Sequence, residues 1–228
     1  MGENIFIFVP NIIGYVRIIL LFYACWYMTT DLARTMAAYL LSALLDAFDG
    51  HAARLLDQST RFGAMLDMLS DRCATMCLLF TLGTFYPRWQ FVFQLSARID
   101  IASHWLHVHT SSQRGAASHK AICLDGNPLL RIYYTNRLVL FAMCAGNEIF
   151  YSMLYILYFT EGPRVLGLGV YRWLLCVSCP IALVKTCISL VHLYAASLNL
   201  ARMDVSEREA RRSAAASAEA SPQVAKSK

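Results

Sequence analysis

The chain has 228 residues, of which 57% are hydrophobic and 15% are charged, and its formal net charge is +5. Soluble domains usually contain about 45–50% apolar and about 25% charged residues, so this composition indicates a membrane protein. Much of the positive charge lies in connections and in the C-terminal tail. Since no basic stripe with interleaved aromatic residues is present, we expect no nucleic-acid partner.

Six apolar segments have roughly the 20 residues that a helix needs to cross the bilayer. They lie at about 5–28, 33–56, 63–85, 89–110, 136–160 and 170–199. The sequence therefore predicts an all-α, polytopic membrane domain over residues 1–200 with six transmembrane helices. Residues 201–228 are rich in Ala, Ser, Lys, Arg and Glu, which predicts a disordered cytosolic tail. The excess of Lys and Arg on the side of the two termini predicts that both termini are cytosolic.

Ionisable residues occur in several of these segments, although a charge at the bilayer centre costs about 2.5–3.5 kcal/mol on insertion scales. Their number predicts a polar, partly hydrated cavity that holds ions or charged ligands. Glu148 and Lys185 lie in the last two segments, where a pairing between them would relieve both charges. Arg17 is interpreted as an anchor whose guanidinium reaches the membrane surface, with a phosphate contact as the alternative.

Four acids in the second and third segments carry the main functional signal. Asp46 and Asp49 share one face of a helix, and Asp67 and Asp71 share one face of the next. A short connection makes these helices antiparallel neighbours, so the two pairs of carboxylates are expected to converge. Four unneutralised carboxylates would repel one another, whereas hard divalent ions such as Mg²⁺ prefer oxygen ligands. Two ions at such a site are suited to clamp a diphosphate.

Small residues accompany the acids. Gly50, Ala53 and Gly63 allow helices to approach closely and leave room for a ligand. Arg54 lies one helical turn beyond Gly50, where its planar guanidinium is suited to bind a phosphate.

The pattern D-x2-D-G-x2-A-R-x8-G-x3-D-x3-D is matched at every fixed position between Asp46 and Asp71. In this the chain resembles the CDP-alcohol phosphatidyltransferases. The resemblance implies a six-helix membrane domain, a homodimer, and a site with two Mg²⁺ or Mn²⁺ ions that opens to the cytosol.

The same resemblance implies roles for individual residues. Asp46, Asp49 and Asp67 are expected to be metal ligands, and Asp71 both a ligand and the general base. The residues expected to contact the nucleotide and diphosphate of a CDP-lipid are Gly50, Arg54 and the hydroxyl of Thr60.

Other stretches are similar to the inositol-using branch of this family, the animal-type phosphatidylinositol synthases. They lie at 3–17, 44–54, 61–77, 102–107, 126–135 and 145–148. The implied substrates are CDP-diacylglycerol and myo-inositol, and the implied location is the endoplasmic reticulum membrane. Another acceptor, such as glycerol phosphate, choline or ethanolamine, is the nearest alternative. A cation channel or transporter and an inactive scaffold fit the motif less well.

A polyol pocket is a further hypothesis. Asp100 and His104 lie on one stripe of the fourth segment, and Arg131 lies in the basic connection that follows. The ordinary alternative for the histidine is a hydrogen bond between helices. Asn11 follows Pro10 at the start of the first helix, so it is either a helix-start residue or a contact for cytidine.

Overall fold

The computed structural model describes residues 3–114 and 136–224, and these residues are predominantly helical. The helices are α1 Val9–Tyr27, α2 Leu32–Leu55, α3 Arg61–Phe85, α4 Gln90–Arg114, α5 Arg137–Phe159 and α6 Val170–Val224. Two 3₁₀ turns lie at Ile5–Ile7 and Pro87–Trp89, and two antiparallel strands, β1 Arg164–Val165 and β2 Leu168–Gly169, form a small hairpin. The predicted all-α class is confirmed.

Local capping signals explain where the second and third helices begin. The Asp31 side chain accepts a hydrogen bond from the backbone N–H of Arg34 at 3.0 Å, and Thr60 does the same for Gly63 at 3.0 Å. These side chains satisfy N–H groups that have no partner within the helix. Between the two helices, Asp57 has a φ of 54°, a left-handed conformation that Asp tolerates and that turns the chain after α2.

Three of the described helices are long and apolar enough to cross a membrane. They are α1, the Leu138–Phe159 part of α5 and the Val170–Ser217 part of α6. Helices α2, α3 and α4 are less apolar on average, since they carry most of the acids singled out above. The chain is therefore a membrane protein, and the number of six spans stays a prediction.

The last helix differs from its predicted extent. It continues to Val224, whereas a disordered tail is predicted from residue 201. Residues 204–217 are exposed within it, and Arg211 pairs with Glu207 across one turn at 3.7 Å. Ala, Glu and Arg are good helix formers, which explains why a segment without buried contacts is helical here. At 55 residues the helix is about 80 Å long, well beyond the thickness of a bilayer.

The chain divides into two compact units, one formed by Met1–Asp100 with Phe141–Lys185 and the other by Ile101–Leu140 with Thr186–Lys228. The first unit contains a hydrophobic core from α1 to α5, with Leu79, Leu82 and Tyr155 almost fully buried. In the second unit, the buried residues include Ser103 and His192. The predicted boundary between a domain at 1–200 and a tail at 201–228 stays a prediction.

Helix α1 makes the close contacts that organise the first unit. It packs extensively against α2 and also against α3, while α2 and α3 make few close backbone contacts with each other. Gly14 allows the approach to α3, since a Cβ at this position would lie 2.9 Å from Leu66 Cδ2. Helix α1 therefore makes most of the close backbone contacts with both helices, and the acids of α2 and α3 meet next to it.

Candidate active site

The four predicted acids come together. Asp46 and Asp49 lie one turn apart on α2, and Asp67 and Asp71 lie one turn apart on α3. One side-chain oxygen from each of Asp46, Asp49 and Asp67 lies within 4.8 Å of the other two. All four carboxylates bond to the same guanidinium, which confirms that they share one site.

That guanidinium belongs to Arg17 of α1. Its Nη1 donates to Asp49 Oδ2 at 2.6 Å and to Asp67 Oδ1 at 2.8 Å. Its Nη2 donates to Asp71 Oδ1 at 2.6 Å and also bonds to Asp46 Oδ1. Each terminal nitrogen therefore joins one acid of α2 to one acid of α3.

The interpretation of Arg17 as a surface anchor is wrong. The residue is only 2% exposed, and its charged group lies among the acids and not at the membrane surface. The sequence contains a signal for this buried position. Asn11, Gly14 and Arg17 follow one another at intervals of three on α1. This spacing puts the arginine on the helix face that also carries the small residue packed against α3.

The donor set fits a divalent cation. Carboxylate oxygens are the ligands that Mg²⁺ and Mn²⁺ prefer, and a single Arg17 guanidinium leaves the four acids with an excess of negative charge. The side chains of Asp46, Asp67 and Asp71 are 41%, 46% and 36% exposed, whereas Arg17 is buried. The acids are thus covered by arginine on one side and accessible from the other.

A second ion network lies behind Asp71. Arg72 Nη1 donates to both carboxylate oxygens of Asp100, at 3.0 and 2.9 Å, and Arg72 Nη2 lies 3.7 Å from Asp71 Oδ2. Lys185 Nζ donates to Asp100 Oδ1 at 2.9 Å. Lys185 therefore pairs with Asp100 and not with Glu148, the partner considered from the sequence. Arg72 was not singled out from the sequence. The signal was a second charged residue next to Asp71 in an otherwise apolar helix, since such a charge needs a counter-charge.

Glu148 of α5 has other partners. Its Oε2 accepts a hydrogen bond from Tyr39 at 2.8 Å, and its Oε1 accepts one from Thr75 at 2.8 Å. Thr75 lies one turn beyond Asp71 on the same face of α3. These bonds link α2, α3 and α5 next to the acids and satisfy a carboxylate inside an apolar region.

The residues expected to contact the CDP-lipid lie at the adjoining ends of α2 and α3. Arg54 is exposed, and its Nη1 lies 3.5 Å from the position that a Cβ on Gly50 would take. The two residues thus share one helix face. The Thr60 hydroxyl oxygen caps α3, which gives this residue a structural role alongside the predicted contact.

Asn11 lies within the first turns of α1, since that helix begins at Val9. Its Nδ2 donates to the carbonyl of Ile5 at 2.6 Å, while its buried Oδ1 has no hydrogen-bond partner. A Cβ on Gly63 would lie 2.8 Å from that oxygen, so Asn11 occupies space that only a glycine on α3 leaves open.

The other residues of the predicted pocket are Asp100, His104 and Arg131. Asp100 is buried and holds two cations, as given above. His104 lies in the second unit, with its Nδ1 3.3 Å from Ser103 Oγ. Arg131 lies outside the described residues. A role of these residues in substrate binding stays a prediction.

Comparison with known proteins agrees with this site. A family model described as CDP-alcohol phosphatidyltransferase matches residues 7–184, which include all four acids and Arg17. The chain therefore belongs to the CDP-alcohol phosphatidyltransferase family.

Several relatives in this family align over almost their whole length. A protein of Mus musculus named CDP-diacylglycerol–inositol 3-phosphatidyltransferase is 57% identical over 206 residues, which are 90% of this chain and 97% of the relative. A Drosophila melanogaster protein of the same name is 50% identical over 92% of both chains, and one of Saccharomyces cerevisiae is 38% identical over 89% of this chain and 90% of its own. No solved structure matches the chain.

Proposed function

We propose that this chain transfers the phosphatidyl group of CDP-diacylglycerol to myo-inositol, forming phosphatidylinositol and releasing CMP. The names of the relatives support the two substrates. The observation that carries the chemistry is the convergence of two carboxylates from α2 and two from α3 on one cation position.

We assign two Mg²⁺ or Mn²⁺ ions to the cluster of Asp46, Asp49 and Asp67 together with Asp71, which bonds to the same guanidinium. When bound, such ions neutralise the diphosphate and make CMP a better leaving group. The side chains of Asp46, Asp67 and Asp71 are partly exposed, so a lipid diphosphate can approach them from the side opposite Arg17.

Asp71 is the proposed general base. A hydroxyl oxygen of inositol attacks the phosphorus of the phosphatidyl group, the bond from that phosphorus to the CMP oxygen breaks, and the hydroxyl proton passes to the Asp71 carboxylate. The side chain is 36% exposed, which leaves it accessible to an acceptor. Arg17 and Arg72 hold its two oxygens from the protein side and thereby limit its orientation.

Arg54 and Gly50 are the proposed contacts of the diphosphate. Arg54 is exposed at the end of α2 and has no ion-pair partner among the described residues, so its guanidinium is available for a phosphate. Gly50 lets the ligand approach the helix backbone next to it. The Thr60 hydroxyl can donate to the same ligand while its oxygen caps α3.

The membrane arrangement belongs to the same proposal. Six spans put both termini and the α2–α3 connection on the cytosolic side, in agreement with the positive-inside rule. We further propose that the chain is a homodimer of the endoplasmic reticulum membrane, with residues 201–228 in the cytosol.

The decisive experiment measures CMP release by the purified chain from CDP-diacylglycerol with a panel of alcohols. We expect release with myo-inositol, loss of release after metal chelation, and recovery with Mg²⁺ or Mn²⁺. Equal release with glycerol phosphate, choline or ethanolamine would contradict the assignment of inositol.

The inositol pocket needs a separate test. We propose that Asn11, Asp100, His104 and Arg131 contribute to substrate binding. His104→Ala is then expected to raise the Michaelis constant for inositol without changing that for CDP-diacylglycerol. An unchanged constant for inositol would remove His104 from the pocket.

A further inference from the structure

The position of Arg17 relative to the acids has a consequence for metal binding. Its two terminal nitrogens each bridge one acid of α2 and one acid of α3, as Asp49 with Asp67 and as Asp46 with Asp71. Divalent ions at this site would be held by the same four carboxylates. The Arg17 guanidinium thus bonds to one oxygen of each carboxylate in the proposed metal site.

Arg17 is held in this position. It is 2% exposed, and α1 packs closely against α2 and α3 on either side of it. Its backbone carbonyl accepts a hydrogen bond from Ser42 of α2 at 3.4 Å, so the helix itself is tied to the element that carries Asp46 and Asp49. Its Nε is buried without a hydrogen-bond partner, so its hydrogen bonds are made by the two terminal nitrogens that contact the acids.

We infer that Arg17 is the internal counter-cation of the metal-free site and competes with divalent ions for the four carboxylates. This inference rests on the proposed function, since it takes the four acids to be the metal site. Without metal, Arg17 prevents mutual repulsion of the acids and keeps α2 and α3 assembled. Metal ions would then compete with the guanidinium for carboxylate oxygens, and the positive charge of Arg17 opposes their binding.

The inference predicts opposite effects on metal affinity and on metal-free stability. Removing the guanidinium in Arg17→Gln frees the carboxylate oxygens and removes a repulsive charge, so Mn²⁺ is expected to bind about tenfold more tightly or better, the equivalent of one charge-assisted hydrogen bond. The same variant is expected to unfold at a lower temperature in the presence of a chelator. Because a ligand stabilises the state that it binds, Mn²⁺ should raise its melting temperature more than that of the wild type.

The experiment uses the full chain in detergent, with Mn²⁺ alone as the probe and no lipid substrate. Mn²⁺ affinity is measured by electron paramagnetic resonance, and melting temperature is measured with chelator and with Mn²⁺. Arg34→Gln is the matched control, because Arg34 is exposed and pairs with Asp31 at the far end of α2. We expect this control to bind Mn²⁺ like the wild type.

A second variant keeps the test informative if Arg17→Gln does not fold. Arg17→Lys retains one positive charge but has a single terminal nitrogen, so it cannot make both bridges, and its Mn²⁺ affinity should lie between those of the wild type and of Arg17→Gln. Affinities equal to or weaker than that of the wild type in the folded Arg17 variants would overturn the inference while leaving the metal site in place. A wild-type chain that binds no Mn²⁺ would instead contradict the proposed function itself.

Discussion

Lys185 Nζ lies 2.9 Å from Asp100 Oδ1, so an ammonium of α6 neutralises a carboxylate of α4 within an apolar region. Asp100 also receives two hydrogen bonds from Arg72, the neighbour of Asp71 in the chain. Because Asp100 lies on α4, one buried acid connects α3, α4 and α6.

This connection predicts an order of stabilities. Asp100→Asn removes the carboxylate that two buried cations share and is expected to lower the free energy of unfolding by about 3–5 kcal/mol. Lys185→Met should cost less, because Arg72 still neutralises Asp100. Unfolding of the purified variants in detergent measures the difference. Arg172→Gln is the control, since its pair with Glu161 is exposed and exposed pairs contribute about 0–1 kcal/mol. A larger loss in Lys185→Met than in Asp100→Asn would contradict the shared role of Asp100.

The assignment of Asp71 as general base predicts a loss of turnover without a loss of substrate binding. Asp71→Asn keeps the size of the side chain but removes the proton acceptor, so kcat for CMP release is expected to fall by about 100-fold or more. CDP-diacylglycerol binding should persist, because three acids and Arg54 remain. Asp57→Asn is a matched control, since Asp57 is an exposed acid in a left-handed turn that Asn also tolerates. Full activity of Asp71→Asn would exclude the assigned role.

A buried hydrogen bond in the first unit predicts a measurable contribution to stability. The Tyr155 hydroxyl donates to the carbonyl of Met28 at 2.7 Å, and Tyr155 is fully buried. Tyr155→Phe leaves that carbonyl without this donor and is expected to cost about 1 kcal/mol. Tyr158→Phe serves as the control, because Tyr158 is 50% exposed and its ring keeps its stacking on Phe85. Equal unfolding free energies of the two variants would contradict a stabilising role for the Tyr155 hydroxyl.

The close contact between α1 and α3 near the acids predicts that Gly63 does not tolerate a side chain. A Cβ there would lie 2.8 Å from Asn11 Oδ1 and 3.2 Å from Thr60 Oγ1. Gly63→Ala is therefore expected to destabilise the protein by about 1–3 kcal/mol and to reduce CMP release, because the helices that hold the acids must shift. Gly83→Ala on the same helix should be tolerated, because a Cβ at Gly83 would lie 3.4 Å from its nearest neighbour, the Cγ of Gln90. If Gly63→Ala retained full stability and activity, the packing argument would be wrong.

Helix periodicity made the four acids predictable. Spacings of three and four residues put Asp46 with Asp49, and Asp67 with Asp71, on single helix faces wherever those helices lie in space. The caps at Asp31 and Thr60 are equally local, since they depend on residues three positions apart. These features depend on residues close together in the chain, so they could be predicted without any tertiary contact.

Partners of buried charges could not be predicted in the same way. The cost of burying Arg17, Lys185 or Glu148 indicates that each needs a partner, but it does not identify which one, because the candidates lie far apart in the chain. The end of the chain was also not predicted correctly. Its low hydrophobicity predicted disorder from residue 201, whereas its helix-forming residues continue α6 to Val224.

The sequence by itself determined the helical class and the set of acids, because these depend on composition and on spacing within single helices, and its motif from Asp46 to Asp71 resembles one family. Only the tertiary structure decided that α1 brings Arg17 to all four carboxylates and that Asp100 binds both Arg72 and Lys185. The physical reason is that a charge inside a membrane protein must be neutralised, while the choice of counter-charge depends on how helices distant in the chain pack together.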